Sequence, residues 1–253
     1  MGLRHLLFLA HRIPFPPDKG DKIRSFHILQ HLSSRFKIHL GCFFDDADDE
    51  MHIADLRREC AEVNCLPLGP LKKIVRGVNG IVVGKSISEA SYSDARMSAW
   101  VRATLKRYDI NDIFVFCSTM APYVLDAGSE RHLVIDVVDV DSAKWELYAR
   151  SAFWPLSALY RMEHRRVFEL ERRAITSSDN ALFVSKTEAQ EILDRAPELQ
   201  SRVRYMENGV DLKRFDPALI FPKPFQDRKP SIVLTGAMSY WPNVDAVTWF
   251  ARE

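Results

Sequence analysis

Arg204-Tyr-Met-Glu-Asn208-Gly209-Val210-Asp211-Leu-Lys-Arg-Phe215-Asp-Pro217 is the stretch on which the reading of this chain turns. It opens in a short apolar run, Val203 to Met206, with the character of a strand. Asn208-Gly209 follows, a pair that takes positive φ at little cost and so predicts a sharp turn, a hinge completed by Asp211. A proline-rich crossing comes next, with Pro222, Pro224 and Pro230. Beyond it a fresh strand, Ser231 to Thr235, is expected to end at Gly236. Everything before Asn208 reads as one alternating β/α unit, and everything after Pro230 as the opening of a second. The expected division is a first domain over 1–217, a linker over 218–230, and over 231–253 the first strand and partial helix of a truncated second domain.

Upstream of that hinge the pattern is regular. His5 to Ala10 is a short, continuously apolar run, as a strand covered on both faces of a parallel sheet requires. It feeds a loop whose Pro14, Pro16 and Pro17 forbid helix and strand alike. A helix is predicted from about Asp21 to Arg35. Ile23, Phe26, Leu29 and Leu32 form its expected core face, and Lys22, Arg24, His31 and Arg35 its exposed one. Further strands are expected at 37–44, 62–66, 112–117, 133–138 and 180–184, with helices at 98–107 and 156–175. The acidic run Asp45 to Glu50 reads as a solvated loop leading into a helix. Ser185 and Glu188 stand at capping-box spacing and open a helix to about Arg195. Strands alternating with helices at this density predict an α/β fold, a Rossmann-like parallel sheet of about seven strands with helices on both faces and His5–Ala10 central. In such sheets ligands sit at the carboxyl ends of the strands.

Composition narrows the function classes. At 253 residues the chain is long enough for one large core or two smaller ones. Its net charge of +1 gives no general attraction for nucleic acid. Four scattered cysteines (Cys42, Cys60, Cys65, Cys117) without a C-x-x-C pair suit buried thiols in a reducing compartment. No apolar window is long enough to span a bilayer, and a cytoplasmic protein is expected, with the inner membrane face as a further location.

Several motifs are decoys. Gly84-Lys-Ser86 resembles the end of a phosphate-binding loop, but Asn79 stands where the required glycine belongs. No G-x-G-x-x-G follows any predicted strand. Asp139-Val-Asp141 would place two carboxylates on one face, as a divalent metal requires, although a polar strand end facing a cleft is the commoner meaning. His11, His27 and His31 do not make a zinc set, and no metal site is expected. The aromatic-then-basic tract from Phe153-Trp154 to Arg172-Arg173 reads as core packing with a solvated face, with a membrane-surface contact as the alternative.

Three segments in order carry a family likeness: Pro14-x-Pro16-Pro17-x-x-Gly20, Asn208-Gly-Val-Asp211 with Phe215, and Leu234-Thr-Gly236 followed by Tyr240-x-Pro242-Asn243-x-Asp245. Together they resemble the family 4 glycosyltransferases of the GT-B fold, two Rossmann-like domains facing each other across a cleft. With His11 to Pro17 and Asp136 to Trp145 added, the chain is similar to the sugar transferases associated with exosortase (PEP-CTERM) and exopolysaccharide systems. The resemblance implies a retaining, metal-independent transfer from a nucleotide diphosphate sugar to a glycan or lipid-linked acceptor, with no separate cofactor. It implies donor phosphate contacts at Lys19, Gly20 and Gly236, and acceptor-side loops at Ser118 and Thr119. Asp139 or Asp141 would hold an acceptor hydroxyl or the transferring sugar. Many relatives carry two adjacent glycines where this chain has Gly20-Asp21, which leaves Asp21 as an alternative helix cap. The resemblance also implies that the fragment alone is inactive. The rival readings are a nucleotide-sugar epimerase of the same architecture and a solitary Rossmann-like binding domain.

Overall fold

A computed structural model describes residues 2–126, 128, 130–213, 215–220, 232–236, 238 and 241–253. The chain divides into two compact units, Met1–Asn208 and Gly209–Glu253.

The first unit is α/β. In chain order it runs β1 (Arg4–Ala10), α1 (Gly20–Ser33), β2 (Phe36–Phe44), a 3-10 turn over Ala47–His52, α2 (Ile53–Glu59) and β3 (Glu62–Pro67). Next come α3 (Pro70–Val82), α4 (Ile87–Ser91), α5 (Ala95–Arg107), β4 (Asp112–Phe116) and a 3-10 turn over Ser118–Tyr123. The unit closes with β5 (His132–Val138), α6 (Asp141–Ser151), α7 (Leu156–Ser177), β6 (Asn180–Phe183), α8 (Lys186–Arg195), a 3-10 turn over Pro197–Leu199 and β7 (Val203–Tyr205).

All seven strands are parallel, in the order β3-β2-β1-β4-β5-β6-β7. β1 is an interior strand, and β4 holds the middle place. Along β1, Leu7 and Leu9 belong to one buried cluster, and Leu6, Phe8 and Ala10 to another on the opposite face. That alternation is the period of two of a strand covered on both sides. Each of the three leucines and Phe8 contributes about 1.5–3 kcal/mol by leaving water.

Helix α1 departs from the expected orientation. Its buried residues include Lys22, Arg24, Ser25 and Leu29, whereas Ile23 is exposed. Burying two cations is tolerable only with paired anions. Lys22 Nζ donates to Asp49 Oδ1 at 2.5 Å, and Arg24 reaches Asp136 on β5. The same pairing takes Asp49 out of the solvated run proposed for 45–50, most of which forms the 3-10 turn.

The segment 67–97 holds α3 and α4, elements the periodicity did not resolve. Gly84, at φ +80°, ends the turn after α3, and the Ser86 hydroxyl accepts from Glu89 N–H to cap α4. The backbone N–H groups of Ile87 and Ser88 donate to the fully buried Glu163 at 2.7 and 2.8 Å, so the amides a phosphate would need are already satisfied.

The capping box at Ser185 formed in one direction only. Ser185 accepts from Glu188 N–H, while the Glu188 carboxylate accepts from Val140 N–H at 2.6 Å. At the hinge, neither Asn208 nor Gly209 takes positive φ.

In the second unit α9 (Trp241–Arg252) is formed. Of the strand expected over Ser231–Thr235, the described residues Ile232 to Thr235 are exposed and in no regular element. A strand needs a neighbour for its backbone groups, and the described residues of this unit supply none. Pro222, Pro224, Pro230, Ser231 and Tyr240 lie outside the described residues.

Candidate functional site

The strand order reverses at β1/β4, the place where the carboxyl ends of a parallel sheet part to admit a ligand. The loop after β1 and the first turn of α1 lie at that edge. Gly20 is the first residue of α1, and the Lys19 side chain does not cap it. Nothing lies within 4 Å of where a Gly20 Cβ would stand. The first turn of a 14-residue helix is therefore open beside Gly20, at the positive end of the helix dipole, although the Lys22 N–H lies against the Asp21 carboxylate. Asp21 is not the cap. It sits in the first turn and accepts from Arg12 Nη1 at 2.8 Å, with His11 Nε2 at 3.4 Å.

Charges interlock around this loop. Arg12 also meets Asp45 at 3.3 Å, and Lys73 from α3 meets the same carboxylate at 2.8 Å. His11, Arg12, Asp45, Lys73 and Tyr92 close against one another and leave no room for a water molecule. Burial would raise the Asp21 carboxyl, but the hydrogen bond from His11 and the charge of Arg12 hold it well below the usual range. The His11 ring stacks on Phe116 at the end of β4, and its Nδ1 is buried with no hydrogen-bond partner among the described residues. These contacts tie the β1 loop to α1, to Asp45 after β2 and to the end of β4.

Behind the loop lies a triad, the buried pair Arg24 and Asp136 joined by the exposed Asn208. Arg24 Nε donates to Asp136 Oδ2 at 2.8 Å and Nη2 to Oδ1 at 3.3 Å, while Nη1 donates to Asn208 Oδ1 at 2.9 Å. Asp136 is wholly buried, and desolvation lifts its carboxyl above the ordinary value in spite of Arg24. The charge types of Arg24 and Asp136 were visible in the sequence. Their pairing was not, because 112 residues separate them.

Next to this triad, two non-glycine residues sit at positive φ, Cys117 (77°) after β4 and Val138 (73°) ending β5. Both mark neighbouring carboxyl ends of the sheet, where such conformations recur at functional sites. Ser118 and Thr119, foreseen as acceptor-facing, are buried, and Thr119 Oγ1 lies 3.2 Å from Cys117 Sγ.

Asp139 and Asp141 do converge, on a cation of the chain itself. Lys144 Nζ lies 2.8 Å from Asp139 and 3.0 Å from Asp141. Burial would lower the Lys144 ammonium, but the two carboxylates raise it well above its usual value, so the position open to a metal holds a permanent charge instead. Both carboxylates remain more than a third exposed. Among the described residues no group of three or more metal-ligating side chains is assembled.

Beneath this loop Glu171 accepts from the Ser142 N–H at 3.0 Å and hydroxyl at 2.6 Å, fixing the start of α6. Burial pushes its carboxyl up to about 8 against the pull of those bonds. A carboxyl raised above its unfolded value contributes stability that is whole below about pH 4.5 and is lost as the pH rises through about 8. Urea midpoints of the wild-type chain are expected to fall across that window. Those of Glu171→Gln, which cannot ionise and keeps an acceptor for Ser142, should hold level by comparison. Parallel profiles would show that Glu171 is ionised throughout.

The remaining expected site residues lie in the second unit. Asp211 accepts from Lys213 N–H through its side chain at 3.0 Å and from Phe215 N–H through its carbonyl at 2.9 Å. Gly209 stands in open space, and a Cβ on Gly236 would come 2.8 Å from the Asn243 amide nitrogen.

No family model matches the chain, and no curated protein does. Among solved structures, the N-terminal domain of trehalose-6-phosphate phosphatase from Candida albicans is similar at TM-score 0.49 and 12% identity. The match covers 85% of this chain and 50% of that one, so the chain spans half the length of that neighbour.

Proposed function

We propose that this chain is the acceptor-side half of a retaining, metal-independent sugar transferase that moves a sugar from a nucleotide diphosphate sugar to a glycan or lipid-linked acceptor in exopolysaccharide assembly. The observation that carries the reading is the open first turn of α1 at Gly20, set at the switch point of an all-parallel sheet. As the acceptor hydroxyl attacks the anomeric carbon, the bond to the diphosphate oxygen breaks, negative charge builds on the departing nucleotide, and the hydroxyl proton passes to that diphosphate. The helix start at Gly20, with the Lys19 ammonium, is suited to meet that charge. Asp139 and Asp141, oriented by Lys144, are suited to hold the acceptor hydroxyl. Ser118 and Thr119 shape their loop from inside.

In this reading the donor is held chiefly by a second Rossmann-like unit. Calorimetry of the 253-residue chain against UDP- and GDP-sugars should therefore show binding weaker than low micromolar. A low-micromolar Kd or better, about −8 kcal/mol, would place the donor on this half instead. The reaction class is tested with the complete transferase, by incorporation of labelled sugar from a panel of nucleotide sugars into a membrane lipid extract. No incorporation from any donor would overturn the reading.

A further inference from the structure

Helix α3 is built inside out for a protein surrounded by water. Its inward flank carries Gly77 and Gly80, pressed so closely on α4 that a Cβ would come 2.8 Å from Ile87 and 2.3 Å from Ala90. The large apolar residues Leu71, Ile74, Val75, Val78 and Val82 instead form an outward stripe, each more than half exposed. A helix that packs by its glycines and turns its valines outward reverses the usual amphipathic arrangement. An apolar surface of this kind marks an interaction site.

The stripe does not stand alone. Arg166 on α7 donates to the carbonyls of Ile81 and Lys85 at the end of α3, so the two helices adjoin. Along α7 the side chains of Ala158, Arg161, Met162, Arg165 and Arg166 line an open groove of about 390 Å³. At the head of α7, Phe153 and Trp154 are 90% and 82% exposed.

Charge identifies the occupant. No Asp or Glu occurs from Val63 to Ser88, a stretch holding Lys72, Lys73, Arg76 and Lys85, and none occurs from Leu147 to Met162. Both tracts are basic in a chain whose net charge is only +1, although Lys73, Arg76, Lys85 and Arg150 pair with Asp45, Asp94, Glu89 and Glu146. Lys72, Arg161 and Arg165 have no carboxylate partner among the described residues. Exposed aliphatic and aromatic side chains interleaved with unpaired cations suit the headgroup boundary of an anionic bilayer, where the apolar groups enter the acyl edge and the cations meet lipid phosphates. A second copy of the same surface would bring like charges together.

We propose that the outward face of α3, with the Phe153–Trp154 turn and the arginines of α7, docks this chain on an anionic membrane surface. No helix among the described residues is long and apolar enough to cross a membrane, so the contact lies in the plane of the interface. The proposal is independent of the transfer reaction. A protein that transfers sugar but ignores membranes would overturn this inference alone.

Flotation of the purified chain with vesicles tests it. The wild-type chain should rise with vesicles of equal phosphatidylcholine and phosphatidylglycerol, about tenfold more than with phosphatidylcholine alone, and less at high salt. The double variants Ile74→Gln/Val78→Gln and Arg161→Gln/Arg165→Gln should each lose about tenfold in partitioning while melting as the wild type does. Tryptophan emission should shift to the blue on vesicles, and Trp154→Phe should remove most of that shift. A wild-type chain that stays unbound with anionic vesicles overturns the proposal. So do variants that float undiminished, and so does a dimer in velocity sedimentation that Ile74→Gln/Val78→Gln dissolves.

Discussion

Replacing Arg24 with methionine is expected to cost about 3–5 kcal/mol of folding stability, the cost of leaving a buried carboxylate unpaired. Asp136 is wholly buried and takes two donors from that one guanidinium. The lifted pKa of its carboxyl shows that desolvation already outweighs the pairing. Taking away the cation leaves that penalty uncompensated. Removing both charges, as in Arg24→Met/Asp136→Leu, should recover most of the loss, since an apolar pair of similar volume does not have to be desolvated. Asn208→Ala removes a single hydrogen bond and should cost only about 1–2 kcal/mol. Urea unfolding of Arg24→Met, Asp136→Leu and the double variant, analysed as a double-mutant cycle with Asn208→Ala measured beside them, gives these differences. The account fails if Arg24→Met falls within about 1 kcal/mol of the wild type. Hydrogen exchange offers a second reading: the amides of β7 should lose protection in Arg24→Met, because Asn208 three residues beyond it is then released.

On the proposed transferase reading, Gly20→Val is expected to abolish sugar transfer while leaving the first unit folded. The two halves of that expectation have separate grounds. The fold tolerates the change because nothing lies within 4 Å of the new Cβ and Gly20 does not occupy the left-handed region. Valine at the first position of a helix costs little. Turnover should fail because the branched side chain would fill the space through which phosphate oxygens approach the amides of α1. Losing one preorganised group of donors costs on the order of 10²–10³ in kcat in comparable sites. Circular dichroism and a thermal melt check the fold, and a donor-release assay checks the chemistry. Unchanged turnover would reduce Gly20 to a turn residue. Gly20→Ala is a graded control, expected to raise the KM for the donor more than it lowers kcat.

The strands of the first unit, most helix positions and the parallel α/β class were legible in the sequence because their causes act over a few residues. Continuous apolar runs such as Leu6–Ala10 announce burial on both faces, and Ser185 announces the start of α8 within one turn. The resemblance pointed to Gly20, and local chemistry agreed, since a glycine ahead of an amphipathic run marks an approachable helix start. The orientation of α1 was decided elsewhere. Periodicity placed Ile23 inside and Arg24 outside, and the folded unit reverses both, because Asp136 waits 112 residues away on a strand that becomes a neighbour only when the sheet closes. Asn208-Gly209 carries a propensity for positive φ that goes unused; the Asn208 amide oxygen is instead held by Arg24. Asp139 and Asp141 were paired in sequence, but the third member of their cluster, Lys144, counts only once α6 turns it back over them. Local propensities operate within a helical turn or one strand period. Which buried charge meets which, and which apolar face remains uncovered as on α3, depends on contacts that exist only after the layers have packed.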